Sequence, residues 1–306
     1  MAAVGRTGLV TFARGSLEDA SFVSREFSEL SDAVEYVYHV AAQGRDWGPW
    51  EEYYSANVVV TSNLVEAVVK NCKKLHRFLH VSTVDVYDPS ECTEHCDQDT
   101  YVSADRHAFY SKTKVLAERI VSGAFLRFKM PMTIVRPSIV FGPGSWSWGL
   151  EEAQLMYQGQ GVLIDNGRST CGAIFIDDIV SGIHMAAESL NSIGKVYNLA
   201  DNTDLPWRVY FDTMAEGIGV PLVKRSVPHW LAYIVAWVLE LVWKLLRKKN
   251  RPVLTLFVLA LIGRSQKYPI NRAYEDFGWR PRVPFKEAML RTTRWLLETR
   301  LHMTDP

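Results

Sequence analysis

The period of the apolar residues changes several times along the chain, and each change predicts an element. Residues 34–42, VEYVYHVAA, are nearly all apolar, the pattern of a strand buried on both faces of a parallel sheet. Residues 77–82 and 133–136 are shorter runs of the same kind, and 195–200 reads as another short strand. Residues 9–13 read as a short strand ended by Gly15. Between these runs the period lengthens to that of a helix. Residues 51–72 carry Val58, Val59, Leu64, Val65, Val68 and Val69 on one side. Lys73, Lys74, His76 and Arg77 lie around the end of that helix, the sign its dipole favours. Residues 17–30 form a helix with Ser16 as its cap and Glu18 and Asp19 in its first turn. Further helices span about 108–125, 206–217 and 285–301.

Strands alternating with helices predict an open α/β sheet. Past residue 226 the composition shifts. Residues 227–246 are apolar apart from His229, Glu240 and Lys244, and they carry Trp230, Trp237 and Trp243. Glu240 near the middle of a spanning helix is costly, and the next run, 253–262, is too short to span. Between them lies Arg247-Lys248-Lys249-Asn250-Arg251. A tryptophan-bearing apolar helix that ends in a basic cluster suits a membrane interface. A lid of helices packed on the core is the competing reading, and the pattern leaves both open.

Composition narrows the partners. The 306 residues are 48% apolar with zero formal net charge, enough for a sizeable core and no electrostatic footprint for nucleic acid. Four cysteines in this length make no disulfide scaffold, so a reducing compartment is expected. Cys92 and Cys96 flank His95, but a full ligand set is not visible there and a loop is the better reading. Met1 to Val10 lacks the apolar core of a signal peptide. Gly5-Arg6-Thr7-Gly8 precedes a strand, whereas a nucleotide loop follows one, so it reads as a flexible terminus.

The chemistry centres on Tyr110-Ser111-Lys112-Thr113-Lys114. Tyr110 and Lys114 are four apart on a helix and share a face. A phenol titrates near pH ~10, and a neighbouring ammonium favours the phenolate, so the pair is expected to act as a tuned proton donor and acceptor. A lone pair of this spacing is more often a solvated helix face. Context decides: Ser82 and Thr83 end a parallel strand at its carboxyl end, where open α/β sheets place ligands. Asp177 and Asp178 suggest acid–base work or a cation, but capping of a helix start is the better reading.

VYHVAA at 37–42, Asn57-Val58, HVSTVDVY at 80–87, YSKTK at 110–114, Val135-Arg136-Pro137 and Phe141-Gly142-Pro143 occur in that order. Together they resemble the extended short-chain dehydrogenase/reductase family, which includes NAD-dependent epimerases and dehydratases. More narrowly the chain resembles the branch of 3β-hydroxysteroid and sterol carboxylate dehydrogenases. The resemblance implies a Rossmann-like, doubly wound parallel sheet and an NAD or NADP cofactor. It implies Tyr110 as catalytic acid/base, Lys114 on the nicotinamide ribose, and Thr83 orienting the reacting oxygen. By the same resemblance His39, Ala41, Ala42, Asn57, Ser82, Pro137, Ser138 and Ile139 line or back the cofactor.

Two departures matter. The family opens with a strand, a glycine-rich turn and a helix that cradle the pyrophosphate, and this chain begins after them. The acidic residue after the second strand is absent as well, and Ser16 stands where the family often has aspartate. The expected fold is therefore a doubly wound sheet lacking its first strands and glycine-rich loop. Residues 1–143 form the cofactor domain and 144–306 a smaller, mostly substrate-binding domain that returns to the core sheet near 173–200, with 227–262 as a membrane-associated segment. Residues 9–13 would be the family's third strand, left without a neighbour, to hang free, close beside 34–39, or receive a strand from another chain. Weak dinucleotide binding and poor solubility follow from that expectation.

The expected activity is NAD(P)-dependent oxidoreduction of a hydroxyl or ketone on a hydrophobic, sterol-like substrate. The alternatives are a sugar-nucleotide epimerase or dehydratase and a catalytically inactive isoform. A membrane surface and a second copy of the chain are candidate partners, and no metal or nucleic acid is expected. The expected location is the cytoplasm or the cytoplasmic face of an internal membrane.

Overall fold

The computed structural model describes residues 10–87, 102, 108–248 and 250–300. The expectations for Gly5, Arg6, Thr7 and Gly8, for Leu9, for Cys92, His95 and Cys96, and for Lys249 lie outside these residues.

The apolar runs become a four-stranded sheet. In chain order the first elements are α1 (Ala20–Leu30), β1 (Tyr36–His39), α2 (Trp50–Tyr53), α3 (Val60–Asn71), β2 (Arg77–Val81), α4 (Phe109–Phe128) and β3 (Met132–Pro137). Then follow β4 (Val140–Phe141), α5 (Glu152–Tyr157), β5 (Leu163–Ile164), β6 (Ile174–Phe175), α6 (Ile176–Glu188) and β7 (Lys195–Leu199). The last are α7 (Trp207–Ile218), β8 (Ser226–Val227), α8 (His229–Leu245), α9 (Leu256–Gly263), α10 (Asn271–Phe277) and α11 (Phe285–Arg300). The main sheet runs β1-β2-β3-β7, every pair parallel, with Tyr36 opposite Arg77, Phe78 opposite Met132 and Thr133 opposite Lys195.

Both faces of the sheet are covered, as all-parallel pairing demands. Val23, Leu64, Val68 and Val121 from α1, α3 and α4 pack on Phe78 and Ile134. On the other face Ile179 and Ala186 of α6 pack with Leu79, Val135 and Trp279. The cover stops before β1. Strand β1 was expected to be buried on both faces, yet Tyr36 and Tyr38 are 38% and 42% exposed and stack on each other. The cause is position: β1 is the edge strand among the described residues, and α6 packs chiefly over β2 and β3.

Three further expectations are corrected. Residues 10–13 form no strand, and Val10 and Phe12 are exposed there, because an extended segment without a hydrogen-bonding neighbour gains nothing from β geometry. Helix α1 begins later than expected. Asp19, not Ser16, caps it, accepting from the amides of Ser21 and Phe22 at 2.9 and 3.2 Å. Asp177 and Asp178 open α6 but do not cap it. Asp178 accepts from the amides of Arg282 and Val283, and Asp177 pairs with Arg291, so the two acids tie the C-terminal segment to α6. Arg77 starts β2, as the run at 77–82 predicts. It is buried, donates to the hydroxyls of Thr133 and Ser192, and donates to Ser189 O at 2.9 Å.

The C-terminal half builds its own core. Phe141, Phe175, Trp207, Tyr210, Met214 and Met289 are buried together, with Phe141 edge-on to Tyr210 at 5.4 Å. Two small parallel pairs, β4 with β6 and β5 with β8, contribute Phe141, Phe175 and Leu163 to this core. Helices α8 and α9 pack on each other through Ala232, Ala236 and Leu259. Among the described residues no helix is long and apolar enough to cross a membrane.

Candidate active site

Strand β2 ends at Val81 and delivers Ser82 and Thr83 to the carboxyl edge of the sheet. The chain then makes a tight turn, Val84–Val86, capped by the Thr83 hydroxyl, which accepts the Asp85 amide at 3.1 Å. The same hydroxyl donates to Asp85 Oδ2 at 3.0 Å and lies in hydrogen-bonding contact with the Tyr110 phenol. Helix α4 brings Tyr110 to this point, with Lys114 one turn further in. Lys114 is buried, and its Nζ donates to Val81 O at 2.7 Å, pinning the helix to the end of β2.

The titration of the pair differs from expectation. Burial pushes the Tyr110 phenol up, the Asp85 carboxylate adds to the rise, and only the Thr83 hydrogen bond opposes it. Burial lowers Lys114 to about 8, with Glu118 opposing. The ammonium is directed at Val81 O, so desolvation of the phenolate prevails over attraction from Lys114. Asp85 is raised to about 6 by burial, with Thr83 opposing.

A cavity of about 410 Å³ opens beside Tyr110. It unites Ser82, Thr83, Tyr110, Pro137, Ser138 and Ile139 from the sequence-predicted set. Trp146, Trp148, Phe257, Val258 and Leu261 also line it. Trp148 is held by its carbonyl, which accepts the Tyr210 hydroxyl at 2.6 Å, and by its ring, 5.2 Å from that of Trp207.

His39, Ala41, Ala42, Asn57 and Lys114 do not line this cavity. His39 is buried, with Nε2 2.9 Å from the Thr61 hydroxyl, and burial followed by the Lys114 charge lowers it to about 4. Ala41 and Ala42 are exposed at the start of the loop after β1. Asn57 lies in a π-helical turn, Tyr54–Val59, and fastens that loop. It accepts the Gln43 amide at 2.7 Å and donates to Gln43 O at 3.1 Å and to Thr113 Oγ1 at 2.9 Å. The fastened loop brings Gly44 against Tyr110, where an added Cβ would sit 4.0 Å from the ring.

Tyr87 and Arg136, both in the motifs, serve the scaffold. Arg136 is bidentate to Glu118 at 2.9 and 2.6 Å and donates to the Tyr87 hydroxyl, which donates to Asn198 Oδ1 at 2.8 Å. This buried chain locks α4 onto β3 and β7 behind the catalytic face.

Sequence reasoning missed Asp46, Asp85, Glu151, Glu152 and Arg251 as site residues. Arg251 Nη1 lies 3.5 Å from Asp46 Oδ1 and 3.1 Å from Glu151 Oε2, and Thr255 donates to Asp46 at 3.0 Å. The connector between α8 and α9 is thereby strapped to the loop after β1. Of these, Asp85 alone carried a signal, two residues from Thr83 inside HVSTVDVY.

The residues present fit the nicotinamide end of a dinucleotide. Ser82 Oγ and Ser138 Oγ are buried at the cavity without a hydrogen-bond partner among the described residues. No strand, glycine-rich turn and helix of the kind that cradles a pyrophosphate occurs among the described residues.

The chain is similar to known proteins over most of its length. It is 27% identical to 2-alkyl-3-oxoalkanoate reductase of Stenotrophomonas maltophilia, over 91% of this chain and 84% of that protein. It is 25% identical to the decarboxylating sterol-4-alpha-carboxylate 3-dehydrogenase of Mus musculus, over 85% of this chain and 74% of that protein. The fold matches UDP-glucuronic acid 4-epimerase from Bacillus cereus, solved with NAD, at a TM-score of 0.72 and 20% identity, over 94% of this chain and 81% of that one. It also matches RMD from Pseudomonas aeruginosa, solved with NADPH, at 0.70 and 17% identity, over 95% and 89%. The sequence pattern of the NAD-dependent epimerase/dehydratase family matches residues 2–200, and the chain, an α/β protein with that family's parallel sheet, belongs to this family of NAD-dependent oxidoreductase-type enzymes.

Proposed function

We propose that the chain is an NAD(P)-dependent oxidoreductase acting on a hydroxyl or ketone of a hydrophobic, sterol-like substrate. The observation that carries the reading is that Thr83, Asp85 and Tyr110 line the same cavity as Trp148, Phe257 and Leu261. A bound nicotinamide ring supplies or accepts the hydride. The chain's own residues handle the proton. Tyr110, its pKa raised, stands protonated at neutral pH, the form that donates to a carbonyl oxygen as that carbonyl is reduced. Thr83 is within reach to hold the same oxygen. Ser82 and Ser138 offer free hydroxyls to the cofactor's nicotinamide end, and Lys114 fixes the helix that carries Tyr110.

A sugar-nucleotide substrate fits less well. A diphosphate needs unpaired cations in the C-terminal half, and the cavity wall contributed by α9 is apolar.

The test is reduction of a panel of keto-sterols with NADH or NADPH, followed by loss of absorbance of the reduced cofactor. Tyr110→Phe should lower turnover by roughly 10²–10⁴-fold with an unchanged circular dichroism spectrum. Wild-type turnover in the folded variant would remove Tyr110 from the mechanism. No turnover of any hydrophobic alcohol or ketone would remove the reading itself.

A further inference from the structure

The cavity beside Tyr110 is walled by acids. Asp46, Asp85, Glu151 and Glu152 line it, and Arg251 is the single cation among the described lining residues. Arg251 is already shared between Asp46 and Glu151. Asp85 is engaged with Thr83. The fully buried polar atoms without partners there, Ser82 Oγ and Ser138 Oγ, are neutral. The rest of the wall is uncharged: Ser145 and Ser147 beside aromatic and aliphatic residues.

We propose that this cavity selects an uncharged hydroxy- or keto-lipid and discriminates against the same skeleton carrying a carboxylate or phosphate. The proposal rests on the oxidoreductase reading of the same site. An anionic group entering here loses its water, meets no unpaired cation among the described lining residues, and stands beside like charges. Glu152 already registers that environment: burial raises it to about 7, the Glu151 charge adds, and Arg251 opposes. A second carboxylate would raise it further, at the ligand's expense. A neutral hydroxyl or carbonyl meets no such penalty and finds Thr83 and Tyr110 as partners.

The test is a binding titration read by tryptophan fluorescence, since Trp146 and Trp148 line the cavity. The probes are a 3-hydroxysterol, its 4-carboxy derivative, and the methyl ester of that derivative, which controls for bulk. At about pH 8, with Glu152 largely ionised, the sterol and the ester should bind about 30-fold more tightly than the acid. Glu152→Gln, checked for folding, should narrow that gap at least about 5-fold. The wild-type ratio is decisive whether or not the variant folds. Equal or tighter binding of the acid overturns the proposal. So does an unchanged gap in the folded variant, or failure of all three probes to bind. Tight ester binding with no NAD(P)-dependent turnover would sink the oxidoreductase reading and leave the charge preference standing.

Discussion

Thr83 donates its hydroxyl proton to the Asp85 carboxylate at 3.0 Å, beside the Tyr110 phenol. The acid is thus placed to oppose the phenolate, and its charge is the second cause of the raised Tyr110 pKa after burial. Asp85→Asn removes that charge while keeping the shape. The alkaline limb of the kcat/KM profile should then move to lower pH. An inflection near pH 6, where Asp85 titrates, should vanish. Superimposable profiles for the two proteins would show that Asp85 does not act on Tyr110.

The loop that approaches Tyr110 depends on one side chain. Asn57 makes three hydrogen bonds, two to Gln43 and one to Thr113, and is 2% exposed. Asn57→Ala strands the Gln43 amide and carbonyl and takes one donor from the Thr113 hydroxyl, which keeps its bond to Phe109 O at 2.8 Å. The expected cost is about 2–4 kcal/mol in urea unfolding, since each orphaned buried group forfeits on the order of 1 kcal/mol or more. A loss below about 0.5 kcal/mol would mean that the loop is held by other contacts.

Part of the candidate site, the meeting of Thr83 and Tyr110 at one cavity, is legible because its signals are local. Tyr110 and Lys114 declare themselves by helical spacing, and Thr83 by its place at the end of an apolar run. The strands at 77–81, 132–137 and 195–199 were legible because a strand covered on both faces must be apolar at consecutive positions. The same rule misled at β1, whose apolar run includes two tyrosines that remain exposed at the sheet edge. It misled again at residues 10–13, where β-forming residues have no strand to pair with. The polar wall of the cavity was not legible. Asp46, Glu151 and Arg251 come from three distant stretches, and only the packing of the α8–α9 connector brings them together. The Tyr110 titration was misread because spacing gives proximity to Lys114 but not the depth of burial, which dominates.

Glu152 carries a pH signature in stability as well as in binding. Its folded-state value, about 7, lies above the ordinary carboxylate value. A raised acid favours the folded chain below its unfolded value, and that stability is lost as pH rises through the folded value. The window runs from about pH 4.5 to about 7. Glu152→Gln should therefore stabilise the protein at pH 8 by roughly 1–2 kcal/mol relative to wild type, and have little effect at pH 4.5. Thermal melts at the two pH values decide it. An equal effect at both would assign the change to packing rather than charge.

Helix α8 presents a face that the rest of the described chain does not cover. Its small residues, Ala232 and Ala236, pack inward against Leu259. Its bulky ones point away: Trp230 is 64% exposed, Trp237 52% and Leu245 73%. A helix so apolar on its solvent side is unusual in a globular protein, and tryptophans beside a basic end suit a headgroup region. Glu240, the acid that argues against a spanning segment, is occupied. It accepts the Leu256 amide at 2.8 Å and pairs with Lys244 at 3.1 Å. Arg247 and Lys248 follow at the C-terminal end, both exposed. We expect α8 to lie in the surface of an anionic bilayer, its apolar face down, with α9 behind it walling the substrate cavity. Flotation with vesicles containing phosphatidylserine should carry wild-type protein to the lipid layer. Replacing Trp230, Val238 and Leu241 together by Ser should cut the bound fraction by more than about 100-fold, because each forfeits about 1.5–3 kcal/mol of apolar burial. The triple variant must keep its circular dichroism spectrum for the comparison to count. Raised salt should weaken binding of the wild type through the basic end, and vesicles of neutral lipid should bind it less. Equal partitioning of the wild type and the folded triple variant would show that the exposed face of α8 serves some other contact.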